Sequence, residues 1–126
     1  MSVIGIGTDI VEVSRLKAMS TEVRDKLAHR VLLSNEYKRY LNHHDPIAFL
    51  AKRWAGKEAV AKAIGTGIAE GVSFQHIEIV SQANGKPVLM LTDRALELAE
   101  QIGAVHWHIS LSDEKCYATA FAVLSA

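Results

Sequence analysis

Along the chain the apolar positions change their spacing several times. "SVIGIGTDIVEV" is a near-continuous Ile and Val run, the pattern of a strand buried on both faces, and it predicts strand over residues 2–11 with Asp9 near its C-terminal end. Ser14, Ser20, Ser34 and Asp45 then each stand one residue before a helical pattern, and Pro46 takes the favoured first helical position. This predicts a short helix, two medium ones and a long one over 46–64. Beyond "GTGIAEGVS" the spacing becomes that of strands: "FQHIEIVSQ" and "KPVLML", separated by "ANG", read as a hairpin. "DRALELAEQI" returns to helical spacing, with Thr92 as its cap and Gly103 as its stop, and "AVHWHISLSDEKCYATAFAVLSA" closes as a second hairpin turning at Asp113, Glu114 and Lys115. Strands in hairpins and helices in runs predict an α+β fold, an antiparallel sheet of about five strands packed against a long central helix and shorter helices.

Composition narrows the class. At 126 residues, 49% of them hydrophobic and 22% charged, the chain suits one packed domain over residues 1–126. The formal net charge of zero argues against a nucleic-acid binder. Its distribution is uneven: residues 1–65 carry 11 Lys and Arg against 7 Asp and Glu, while residues 66–126 carry 3 against 7. The basic half is expected to face an anion, the alternative being two solvated surfaces of opposite sign. Cys116 is the one cysteine, so no intrachain disulfide forms, which suits the reducing cytoplasm. Asp9 and Glu12 interrupt the apolar N-terminus, and no run approaches the roughly 18 uncharged residues of a membrane span, so no membrane role is expected.

The candidate chemistry lies on the long helix. Turning 100° per residue from Ile47 puts Leu50, Ala51, Trp54, Ala61 and Gly65 within roughly 60° of one direction, with Glu58 in the middle of that stripe. An ionised carboxylate buried there needs a cation. One candidate is Lys62 at i+4. The other is a metal ion, for which Asp9 is a second oxygen ligand; Asp9 also reads as a turn or cap residue. Two carboxylates on separate elements match how Mg²⁺ is held, with substrate phosphates completing its shell, and Arg53, Lys57 and Lys62 would neutralise those phosphates. Gly65, Thr66 and Gly67 resemble a phosphate loop but follow the helix, where the dipole is negative, so they read as a helix stop or as a close backbone approach to a ligand. His106 and His108 lack further ligands for a zinc set, and no nucleophile elbow supports a hydrolase.

"GIGTDIVEVSRL", "FLAKRWAGKEAVAKAIGTG", "NGKPVL" and "HISLSDEKCYA" together resemble the holo-[acyl-carrier-protein] synthases, the small 4′-phosphopantetheinyl transferases of bacterial fatty acid synthesis, over nearly the whole chain. The resemblance implies cytoplasmic transfer of the 4′-phosphopantetheine arm of coenzyme A to a serine of apo acyl carrier protein, with release of 3′,5′-ADP. It implies that Asp9 and Glu58 hold Mg²⁺, or Mn²⁺ in its place, and that Lys62 stabilises charge on the phosphates. Glu58 would accept the serine proton, directly or through a water held by the metal. It further implies coenzyme A phosphate contacts from Arg53, Lys57, Lys62, Gly65, Thr66 and Gly67. Arg15, joined by Arg24, Lys26 and Arg30, would meet the acidic carrier protein, and homotrimers would carry their active sites between subunits, with residues 108–113 beside the neighbour's coenzyme A. Many members read Ser-Ile-Ser-His where this chain has Ser110, Leu111, Ser112 and Asp113, so no histidine role transfers there. The competing reading is a non-catalytic oligomeric module that binds a phosphorylated nucleotide, with Glu58 and Lys62 as a plain ion pair.

Overall fold

The computed structural model describes residues 2–126. Its elements run β1 (Val3–Glu12), α1 (Val13–Ala18), α2 (Thr21–Val31), α3 (Ser34–Asn42), α4 (Pro46–Ile64), a 3₁₀ turn (Phe74–His76), β2 (Ile77–Ser81), β3 (Pro87–Leu91), α5 (Asp93–Gln101), β4 (His106–Asp113) and β5 (Tyr117–Ser125). The α+β class and the antiparallel pairing agree with the sequence pattern. Among the described residues the five strands divide into a three-stranded sheet, ordered β1-β5-β4, and a separate β2-β3 hairpin.

Local chemistry accounts for the helix ends. The Asp45 carboxylate accepts from the Ala48 amide at 3.2 Å, Pro46 follows it, and α4 stops at Gly65 in the left-handed region with φ 102°. Ser20 caps α2 through the Val23 amide. Two caps lie elsewhere than expected. Helix α1 begins at Val13, directly after the strand, and α3 begins at Ser34 itself because Glu36 takes the Leu33 amide at 2.8 Å.

Helix α4 is packed on nearly every side: Leu50, Ala51, Ala55, Ala59, Val60 and Ala61 are fully buried, while Lys62 is exposed. The three-stranded sheet covers one flank through Ala118, Ala122 and Leu124. β1 lies against the helix backbone itself. A Cβ on Gly7 would fall 2.0 Å from the Ala59 carbonyl oxygen, and one on Gly5 2.1 Å from that of Ala63, so both positions require glycine. This close approach delivers Asp9, two residues on along the same strand face, to the Glu58–Lys62 turn of α4. The opposite sheet face leaves Ile6, Ile10, Tyr117 and Phe121 exposed. Among the described residues no helix is long and apolar enough to cross a membrane.

Candidate active site

The Lys62 ammonium donates to the Asp9 carboxylate at 2.9 Å and to the Thr8 carbonyl at 3.0 Å. It therefore spans helix and strand and does not pair with Glu58 one turn earlier, as the i+4 spacing had suggested. Among the described residues no cation lies within ion-pair distance of Glu58, which is half-buried. Burial, and then the charge of Asp9, push its carboxyl above the ordinary value, with Lys62 and Arg30 pulling the other way. The charge of Asp9 thus acts on Glu58 with only partial neutralisation, an arrangement that a bound cation could relieve. Asp9 and Lys62 border a cleft of about 560 Å³ that Ser110, Ser112 and Phe121 also line.

The donor set fits the metal expected. Among the described residues no three His, Cys, Asp or Glu side chains gather, which disfavours a closed zinc site. Two carboxylates, one of them at an open cleft, suit Mg²⁺, which keeps waters and takes its remaining oxygens from phosphates. Asp9 and Glu58 are the residues that could hold it.

The cations expected to meet phosphate divide. Lys57 is wholly buried, donating to Glu36 at 2.6 Å, to the Val31 carbonyl at 2.5 Å and to the Phe74 carbonyl at 3.3 Å. It cannot reach a phosphate without abandoning these partners, and its expected role is corrected to a structural one. Arg53 lies over the Phe49 ring at 4.5 Å and donates to the Ser81 hydroxyl at 3.2 Å. Its Nε stands 3.9 Å from Glu36 and finds no hydrogen-bond partner among the described residues. Glu36 also accepts the Ile79 amide at 3.0 Å, so one carboxylate faces two buried cations. Arg53 lines a second cleft, about 160 Å³, with Arg39, His43 and Lys52. Burial and the neighbouring His44 lower the His43 pKa. This basic cleft keeps Arg53 as a phosphate candidate.

In the Gly65–Gly67 loop the amides of all three residues bond to the Ala61 carbonyl, at 3.2, 3.3 and 3.1 Å. They close the helix and leave no free amide for a phosphate, so the expected phosphate contacts of Gly65, Thr66 and Gly67 through those groups are corrected.

The four basic residues expected to meet a carrier have different local contacts. The Arg15 guanidinium lies 5.3 Å over Trp54, one turn from Glu58 on α4, and Arg30 sits over Phe74 at 5.4 Å while its charge reaches Glu58. Arg24 is half-buried, and its Nη1 donates to the Leu16 and Met19 carbonyls at the end of α1. Lys26 is turned about 200° from Arg24 around α2 and pairs with Glu22 at 3.6 Å. Arg15 and Arg30 lie nearest Glu58, Arg24 binds the end of α1, and Lys26 stays exposed beside Glu22.

Sequence reasoning missed Glu36, Arg39, His43 and Lys52. Glu36 stood three residues after the α3 start, the spacing at which a side chain returns to the cap amide. The basic cleft had no such signal, because α3, α4 and the β2–β3 loop meet there only in the fold. Asp113, at the end of β4, pairs with Lys52 at 3.1 Å.

Residues 5–122 match the model of the 4′-phosphopantetheinyl transferase superfamily. The holo-[acyl-carrier-protein] synthase of Yersinia enterocolitica serotype O:8 is 48% identical over 126 residues, covering all of both chains. The crystal structure of the Neisseria meningitidis holo-[acyl-carrier-protein] synthase superimposes with a TM-score of 0.88 at 38% identity, covering 99% of this chain and 100% of that one. The Bacillus anthracis synthase, solved in complex with CoA (3′,5′-ADP), does so with a TM-score of 0.79 at 35% identity, covering 97% and 96%.

Proposed function

As the chain belongs to the holo-[acyl-carrier-protein] synthases of the 4′-phosphopantetheinyl transferase superfamily, we propose that its Asp9–Glu58–Lys62 cluster moves the 4′-phosphopantetheine arm of coenzyme A onto a serine of apo acyl carrier protein. The serine oxygen attacks the β-phosphorus of coenzyme A. The bond from that phosphorus to the bridging oxygen breaks, and 3′,5′-ADP leaves with the electron pair. The observation that carries this reading is the unpaired, half-buried Glu58 carboxylate set against Asp9, with a lysine bridging strand and helix beside them.

Asp9 and Glu58 would hold Mg²⁺, or Mn²⁺, which when bound supplies neutralising charge to the pyrophosphate oxygens. Lys62, exposed at the cleft and anchored on Thr8 and Asp9, presents its ammonium where negative charge gathers on the transferring group. Glu58, half-buried beside this cluster, would take the serine proton, directly or through a water. Arg53, with Arg39, His43 and Lys52, takes a further phosphate of coenzyme A. Arg15 and Arg30 guide the acidic carrier so that its serine enters beside Glu58. Ile10 and Phe121 line the cleft, and together with the exposed Ile6 and Tyr117 they favour a homotrimer in which neighbouring subunits complete each site. The enzyme would serve fatty acid biosynthesis in the cytoplasm.

The test is the intact mass of an apo acyl carrier protein after incubation with coenzyme A and this protein, with Mg²⁺ and with a chelator. A gain of one phosphopantetheine arm that chelation abolishes is expected. No gain with a competent carrier, or a gain indifferent to the chelator, would contradict the assignment.

A further inference from the structure

Lys52 stands on α4 between two cavities. On one side is the basic cleft of about 160 Å³ that it shares with Arg39, His43 and Arg53. On the other is a cleft of about 390 Å³ lined by Asp113 with Lys17, Asp45, Glu114 and Lys115. The Lys52 ammonium is drawn to the second side, 3.1 Å from the Asp113 carboxylate. Both side chains are partly exposed, 27% and 37%, and a lysine stem is long and flexible, so the ammonium can swing between the two sides.

We propose that Asp113 is a positioning residue for coenzyme A, a tether that holds Lys52 away from the basic cleft and that a bound phosphate must displace to recruit the lysine. The inference rests on the reading that this cleft takes a phosphate of coenzyme A. The other groups there have different attachments. Arg53 lies over Phe49 and bonds to Ser81, and His43 accepts the Asp45 amide at 2.9 Å. Of the groups attached in these ways, Lys52 is held by a partly exposed carboxylate, the weakest hold and the easiest to exchange. The consequence is a moderated affinity. Coenzyme A and the departing 3′,5′-ADP carry phosphates on the same nucleotide, so a tether that weakens both also speeds release of the product.

The experiment is a double-mutant cycle on Asp113→Asn and Lys52→Ala, reading KM against kcat and the dissociation constant of coenzyme A without carrier protein, at low and high salt. Asp113→Asn is expected to lower KM and the dissociation constant by a factor of about two to five, the size of a partly exposed ion pair. The gain shrinks at high salt and vanishes in the Lys52→Ala background. Lys52→Ala alone weakens binding. If Lys52→Ala weakens binding and Asp113→Asn changes nothing, the tether is wrong and the phosphate cleft stands. If Lys52→Ala leaves coenzyme A affinity untouched, the reading of the cleft fails and the tether with it. An Asp113→Asn effect that persists without Lys52 would show that Asp113 acts through another group.

Discussion

Two glutamates lie close to cationic side chains around α4. Glu36 is buried, and its oxygens receive the Leu33 and Ile79 amides and the Lys57 ammonium, with Arg53 close by. Glu58 is half-buried, feels the charge of Asp9 at an open cleft, and has no cation at ion-pair distance among the described residues. The residue types are the same and the solvation is not. A carboxylate whose lone pairs are filled from α3, β2 and α4 at once fixes those elements together. One left facing a second carboxylate carries a cost that a bound cation can remove, and such unresolved electrostatics mark reactive positions.

The largest expected effect falls on the open carboxylate. Glu58→Gln should cut phosphopantetheine transfer by about 10²- to 10⁴-fold, the scale of a lost acid–base group, without lowering thermal stability at neutral pH. Initial rates and a melting curve on one preparation measure both. A variant that unfolds would make Glu58 a structural partner and erase the contrast.

The closed cluster should respond in the opposite sense. Glu36→Gln leaves Lys57 and Arg53 buried without their counter-charge and should cost about 3–5 kcal/mol in urea unfolding. Adding Lys57→Met should recover part of that loss, because it removes one of the stranded charges. A wild-type stability for Glu36→Gln would mean that the cluster is not the pin described.

The contact that joins the two regions is the next target. Gly7→Ala drives a methyl into the Ala59 carbonyl and should cost about 1–3 kcal/mol while also lowering turnover, because β1 and Asp9 move away from α4. Unfolding and turnover of the same variant test it, and loss of stability alone would separate the packing from the site.

A smaller effect concerns pH. The Glu58 carboxyl is raised above its ordinary 4.5, so the folded chain holds that proton more tightly than the unfolded chain. Below the unfolded value the group contributes nothing. As pH climbs through the unfolded and then the folded pKa, native stability falls. In chelator, Glu58→Gln should therefore melt slightly above wild type at pH 7 and level with it near pH 4. A higher wild-type melting point at pH 7 would reverse the sign.

Much of this was legible before any coordinates, and the gaps have physical causes. Glu58 stood out because helical spacing set a charge inside an apolar stripe, and Asp9 because a carboxylate has no packing reason to end an Ile and Val strand. The Asp45–Pro46 start and the Gly65 stop of α4 came from backbone chemistry that acts locally. Lys57 was misassigned because lysine is ordinarily exposed, and its burial depends on Glu36 arriving from α3, a contact 21 residues away in sequence. The separation of Arg24 from Lys26 needed no tertiary information. Two residues on a helix point about 200° apart, and reading the basic residues as one cluster passed over that. The division of the strands into two sheets was not visible, since each hairpin is locally complete.

The central claim is that Asp9 and Glu58, and not the Glu36 cluster, hold the divalent ion. Calorimetric titration of Mn²⁺ into wild type, Asp9→Asn, Glu58→Gln and Lys57→Met, each with coenzyme A present, tests it most directly. Binding that survives in Lys57→Met and is lost in both carboxylate variants is the predicted result. Binding unchanged in Asp9→Asn and Glu58→Gln would contradict it.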